Sequence, residues 1–189
     1  MVQPPTDLLA ELDPADAAVL ARLADTLAPV APDAALRSAL LARARGPGRL
    51  DRFAAAVAAM VDVSIDKARE LLDRVADTSR WERDLFPGMH ALWVEGGPAA
   101  ANCIRGFARL DAGAAFPEHE HVGDEATLVL EGVMLESGGA VVRPGETIVM
   151  PAGTAHHYRA APDGPDLLFF VVAKTAIGFP DGAALHPRD

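Results

Sequence analysis

The chain has 189 residues, half of them hydrophobic, with 27 acidic against 17 basic side chains and a net charge of −10. That is enough chain to bury a sizeable core, and the acidity argues against direct binding to nucleic acid, which needs clustered Lys and Arg. The lone Cys103 excludes an internal disulfide, no apolar run approaches the roughly 18 residues of a membrane helix, and Met1–Asp7 carries neither a basic leader nor an apolar signal core. The expectation is a protein of the cytoplasm that engages neither membrane nor nucleic acid.

The first 80 residues read as helical. Asp13-Pro14 is an N-cap followed by proline at the first helical position. It opens a helix through about Leu27 with Val19, Leu20, Leu23 and Leu27 on one stripe, closed by Pro29 and Pro32. Asp33 begins a second helix with Leu36, Leu40 and Leu41 on its apolar side, and Gly46-Pro47-Gly48 stops it. A third, from about Leu50 to Val61, carries Phe53, Val57, Met60 and Val61, and its many alanines leave little polar face, so it belongs between neighbours. A fourth starts at Ser64 as N-cap and runs through Leu71, Leu72 and Val75.

Near residue 80 the pattern changes to short Val, Ile, Leu and Phe runs cut by Gly and Pro. The boundary predicts a helical region over 1–80 and a β region over 81–189. Ten basic and 12 acidic side chains fall in the first and 7 and 15 in the second, so the acidity belongs mainly to the β region. The segment from Trp81 to Pro98 is too apolar for a free linker and is expected to pack on the strands. Strands are expected near 102–110, 114–119, 126–131, 132–136, 140–143, 147–150, 156–161 and 166–173, and eight short strands with such turns favour a double-sheet jelly roll. In the first, Arg105 and Arg109 share a face with Phe107, opposite Ile104, Ala108 and Leu110, and the arginines are expected to face solvent. Cys103 reads as a small buried side chain.

Chemistry concentrates in Gly113-Ala114-Ala115-Phe116-Pro117-Glu118-His119-Glu120-His121-Val122-Gly123-Asp124-Glu125, with Gly132 beyond. On an extended segment His119 and His121 leave the same face and converge with Glu125 after a short turn. Some thirty residues on, Gly145 to His156 adds a Pro151-Ala152-Gly153 turn and a candidate fourth ligand in His156. His157 follows directly, and strand alternation lets at most one of the two enter the site. Three imidazoles and a carboxylate suit zinc, iron, manganese, nickel or copper, and four protein ligands leave two open positions on a six-coordinate ion.

These two stretches resemble the paired signature of the cupin superfamily. Gly113, His119, His121, Glu125 and Gly132 meet every position of its first motif. Gly145, Pro151, Gly153 and His156 meet the second, with Ala160 where that motif ends in Asn. The resemblance implies an all-β double-stranded jelly-roll barrel, preceded here by a helical N-terminal region. It also implies His119, His121, Glu125 and His156 as ligands to one divalent transition metal per chain, zinc first, with iron, manganese or nickel as alternatives. The string His119 to Glu125, followed by Val129-Leu130-Glu131-Gly132, is most similar to the cupin domain of ChrR-type anti-sigma factors, which also place a helical domain first. In that family the helical domain holds zinc through an HxxxCxxC arrangement and sequesters a sigma factor. Residues 1–80 contain no His and no Cys, so that zinc-dependent clamp does not carry over.

The resemblance leaves two functional classes. One is a regulatory or sensory protein whose metal detects a small molecule while the helices signal to a protein partner. The other is a metal-dependent enzyme, a dioxygenase or isomerase acting on a small molecule. A blander third is a structural module whose metal stabilises the barrel. Homodimerisation, as cupins commonly show, is expected.

Overall fold

The apolar run Leu167-Leu168-Phe169-Phe170-Val171-Val172 explains the architecture around it. A continuous run of this length suits a strand buried on both faces, and that is its place in the computed structural model, which describes residues 13–28, 31 and 33–188. Strands are numbered β1 (Glu82–Phe86), β2 (Met89–Trp93), β3 (Cys103–Leu110), β4 (Ala115–His121), β5 (Glu125–Glu131), β6 (Met134–Glu136), β7 (Val141–Val142), β8 (Thr147–Met150), β9 (Ala155–Ala160), β10 (Leu167–Lys174), β11 (Ile177–Gly178) and β12 (Ala184–Leu185). They form two six-stranded sheets, ordered β1-β2-β3-β10-β5-β8 and β12-β11-β4-β9-β6-β7. Every pairing is antiparallel.

Alternation along β10 divides its side chains between two cores. Phe169 joins Phe116, Val129, Met134, Tyr158 and Ala160 between the sheets. Leu168 and Phe170 join Leu92, Phe107, Leu128 and Leu130 on the opposite face of the first sheet, where Phe107 and Phe170 are cross-strand partners with ring centroids 4.7 Å apart. Helices α3 (Ala54–Val61) and α4 (Ile65–Asp73) cover that face. Ala54, Val57, Ala58 and Val61 make the buried stripe of α3, and Ala68, Leu71 and Leu72 that of α4, at the three- and four-residue spacing of a helix face. The Ser64 side chain accepts from the Lys67 backbone N–H at 3.2 Å, capping α4 as expected. Residues Asp51–Phe53 form a 3₁₀ turn ahead of α3, so the third helix starts later than its sequence pattern suggests.

The end of α3 is tied to the chain that enters β3. Asp62 adopts the left-handed conformation, Val61 carbonyl accepts from Gly97 N–H at 2.8 Å, and Asp62 Oδ2 accepts from Ala99 N–H at 2.9 Å. A Cβ on Gly97 would lie 1.9 Å from the Asp62 carbonyl oxygen, so this approach admits glycine alone.

The chain divides into two compact units, Met1–Ala42 and Arg43–Asp189. Strands begin at Glu82, close to the change of pattern at residue 80, but the unit boundary lies earlier, because α3 and α4 share a core with the first sheet. In the first unit, α1 (Pro14–Asp25) is capped by Asp13, whose Oδ1 accepts from Ala15 N–H at 2.8 Å. Asp33 does the same for Ala35 at 2.9 Å ahead of α2 (Ala34–Arg45), which runs into the second unit. Val19, Leu20, Leu23, Leu36 and Leu40 are exposed. Pro29, Pro32 and Met1–Asp7 lie outside the described residues. No helix among the described residues is long and apolar enough to cross a membrane.

Two expectations need correction. The segment 81–98 does pack on the barrel, but as the hairpin β1–β2 extending the first sheet, and β11 and β12 extend the second. The face of β3 that carries Phe107, Arg105 and Arg109 does not lie open to solvent, because the helical layer and Trp81 cover it. Both arginines are half-buried: Arg105 Nη1 donates to the carbonyls of Cys103 and Ala100 at 2.9 and 3.3 Å, and the Arg109 guanidinium stands 5.2 Å from the Trp81 ring. Cys103 is buried, as expected.

Candidate metal centre

Two strands of the second sheet and the start of β5 bring the chemistry together. His119 and His121 lie on β4, His156 lies on β9 directly opposite His119, and Glu125 opens β5. All four are buried, and one ligand atom from each lies within 4.8 Å of the others. His157 is exposed on the opposite face of β9, as alternation requires.

The register of β4 against β9 contains the device that aims the first histidine. Phe116 pairs with Tyr158 and His119 with His156, so three steps on β4 answer two on β9. Pro117 and Glu118 therefore form a bulge, a position that suits proline because no ladder N–H is required there. The bulge changes the parity of the strand, and both Phe116 and His119 face inward despite their odd spacing. It also turns the Pro117 carbonyl towards the His119 ring, 2.9 Å from Nδ1.

Those contacts determine where the lone pairs point. A carbonyl only accepts, so His119 Nδ1 must carry the proton and Nε2 the lone pair. His156 Nδ1 lies 2.7 Å from Glu136 Oε2, and a carboxylate likewise makes Nδ1 the donor. The two Nε2 atoms then face each other at 3.0 Å with no proton between them. Two lone pairs converging in a buried space are unfavourable unless a cation sits between them. Neither ring nitrogen of His121 has a partner, although both are buried, and its Nδ1 lies 3.6 Å from Glu125 Oε2. Glu125 Oε1 accepts from the Thr127 hydroxyl at 3.0 Å. The donor set fits a divalent transition metal on these observations.

Electrostatics points the same way. Burial, with smaller contributions from neighbouring histidines, lowers the His119 pKa to about 3 despite the opposing Pro117 contact. Burial and then the His156 charge lower that of His121 to about 4. Both rings are therefore neutral near pH 7, the form that ligates metals. Burial raises Glu125 to about 7 against the Thr127 hydrogen bond, so an entering cation displaces a loosely held proton.

Phe116 and Tyr158 pack edge-on to His119 at 4.8 and 6.1 Å, part of an aromatic shell that dries one side of the site. Beyond them a small inner cavity, about 30 Å³, is bounded by Met89, Trp93, Ile104, Glu125, Tyr158 and other apolar side chains, with no Lys or Arg in its lining.

Residues 106–173 match the family model described as the cupin domain. The fold is that of a cupin. Among solved structures, the chain is similar to the Rhodobacter sphaeroides SigE complex with the anti-sigma ChrR, at 22% identity and a TM-score of 0.50 over 85% of this chain and 77% of that one. An acetylacetone dioxygenase from Acinetobacter johnsonii matches at 15% identity and a TM-score of 0.49, over 58% of this chain and 80% of that one. A protein of unknown function with a cupin-like fold from Ralstonia eutropha matches at 18% identity and a TM-score of 0.40, over 45% of this chain and only 56% of that one. No curated protein matches the sequence.

One residue of the site escaped the sequence motifs. Glu136 ends β6, which pairs with β9 so that Glu136 stands opposite Tyr158. Its side chain is 2% exposed. A charged residue in a short apolar strand was the available signal, but its partner becomes visible only once β6 and β9 are in register.

Proposed function

We propose that this cupin is a regulatory or sensory protein in which His119, His121, Glu125 and His156 hold one divalent transition metal, zinc first, that a small neutral molecule or oxidant reaches. The observation that carries the reading is the inner cavity beside the site, which is small, mostly apolar and free of cationic side chains, and so has nothing to anchor an anionic substrate. The bound metal would supply open coordination positions for a small ligand, and the protein's own residues hold its ligands neutral and dry.

A route for a response also exists in this reading. Glu125 begins β5, and Leu128 on the same strand belongs to the core shared with α3 and α4. A shift at the metal moves a strand on which the helices rest. Exposed Val19, Leu20, Leu23, Leu36 and Leu40 offer a surface to a protein partner or to a second copy. The ChrR complex, with its sigma factor, lends the regulatory reading a precedent in fold, although the zinc motif of that family's helical domain is missing here. We place this chemistry in the cytoplasm, with a homodimer as the working assembly.

The test loads purified, chelator-treated protein with zinc or iron and measures stoichiometry, then follows hydrogen exchange of α3 and α4 with and without peroxide. One ion per chain, lost in His121→Ala, and altered exchange in the helices are the expected results. Metal-dependent turnover of small diketones, thiols or hydroxy acids by the loaded protein would replace the sensory reading with an enzymatic one. Sedimentation at micromolar concentration decides the dimer.

A further inference from the structure

We infer that Glu136 is a positioning residue of this metal centre, holding the His156 ring through Nδ1 so that Nε2 is presented to the ion. The inference rests on the metal reading above and deepens it. The three imidazoles of the set are supported unequally. His121 has no partner at either nitrogen, His119 is held by the neutral carbonyl of Pro117, and His156 alone is held by a carboxylate, at 2.7 Å.

Burying a carboxylate is costly unless it is paired, and the Glu136 side chain is 2% exposed with Oε1 lacking any partner. The one hydrogen bond of its carboxylate among the described residues goes to His156. An apolar side chain would pack the end of β6 without that cost, so the carboxylate is explained by what it does to the ring. Accepting from Nδ1–H fixes the tautomer, orients the imidazole and raises the basicity of Nε2.

The experiment compares wild type, Glu136→Gln and Glu136→Asp in two measurements. Zinc affinity is read by competition with a chromophoric chelator, and the His156 tautomer is read by nitrogen-15 NMR on metal-free protein. The expected results are an Nδ1–H tautomer in the wild type and zinc affinity about 10- to 100-fold weaker in E136Q. E136D, which keeps the charge but shortens the reach, should fall between the two. The metal-free unfolding midpoint guards against a merely structural effect: it should stay close to wild type in the variant whose affinity drops. E136Q affinity indistinguishable from wild type overturns the inference, as does an Nε2–H tautomer in the wild type. If E136Q does not fold, E136D and the wild-type tautomer still decide. Failure of the wild type itself to bind zinc would remove the metal reading, and the tautomer would then show separately whether the Glu136–His156 contact stands.

Discussion

The two sheets of the barrel are built from similar strands but spend their outer faces differently. The first is covered by α3 and α4, so β10 is apolar on both sides and β3 and β5 nearly so. The second alternates: Phe116, His119, His121, His156 and Tyr158 are buried, while Glu118, Glu120, His157 and Arg159 are exposed. Three of the four candidate ligands come from this alternating sheet, and the covered sheet contributes Glu125. A strand with one wet face sorts polar side chains by parity, so it can collect imidazoles on its inner face while its charges remain in water. The covered sheet has no such outlet, and each polar group in it needs a specific partner, as Glu125 has in Thr127.

The strongest way to break this contrast is Phe170→Ala. Phe170 is fully buried under the helical layer, and the deletion should cost about 3–5 kcal/mol in chemical denaturation. Folded molecules should keep their metal, because no ligand lies on β10. A loss no larger than that of a surface substitution would mean that the helices do not seal this sheet.

A second test sharpens the electrostatic side of the comparison. In metal-free protein, the stability tied to neutral His119 and His121 is present above their unfolded value near 6.5 and is lost as pH falls towards about 4 and about 3. The contribution of Glu125 has the opposite sign: it is present below its unfolded value near 4.5 and is lost as pH rises through about 7. Between about pH 5 and 6 the unfolded chain binds two protons on these imidazoles, and the folded chain binds one, on Glu125. These three groups should therefore make stability rise by about 1.4 kcal/mol per pH unit. Urea melts in the presence of chelator across that interval measure the slope, and a flat profile would show that the rings are not held neutral.

Ser64→Ala, which removes the cap of a covering helix, should cost about 1 kcal/mol by the same melts. The smallest effect belongs to the wet face. His157→Ala should change stability by no more than about 0.5 kcal/mol, and metal stoichiometry should stay at the wild-type value. Loss of metal in this variant would exchange the roles of His156 and His157.

Much of this was legible in the chain because its signals are local. The two-residue step from His119 to His121 and the neighbouring positions of His156 and His157 settle facing by parity alone. The caps at Asp13, Asp33 and Ser64 declare themselves within three residues. What stayed hidden depends on pairing between distant segments. Asp84 adopts a φ of 54° within β1, a left-handed conformation foreign to regular strands, and spoils the alternation that would mark one. The strands β11 and β12, at two residues each, are too short to show a period. The covering of Phe107 by helices placed about fifty residues earlier cannot be seen from β3, whose own pattern is compatible with either face being wet.

The bulge at Pro117 and Glu118 gives β4 two independent halves. On one side, Phe116 belongs to the aromatic lining; on the other, His119 and His121 belong to the ligands, and the kink between them absorbs any mismatch in count. A length change confined to those two residues would re-phase the lining while leaving the histidines in step with His156. Related chains could thus remodel the chamber beside a fixed set of candidate ligands by a single insertion or deletion, a route to new ligand preferences that substitution alone does not open.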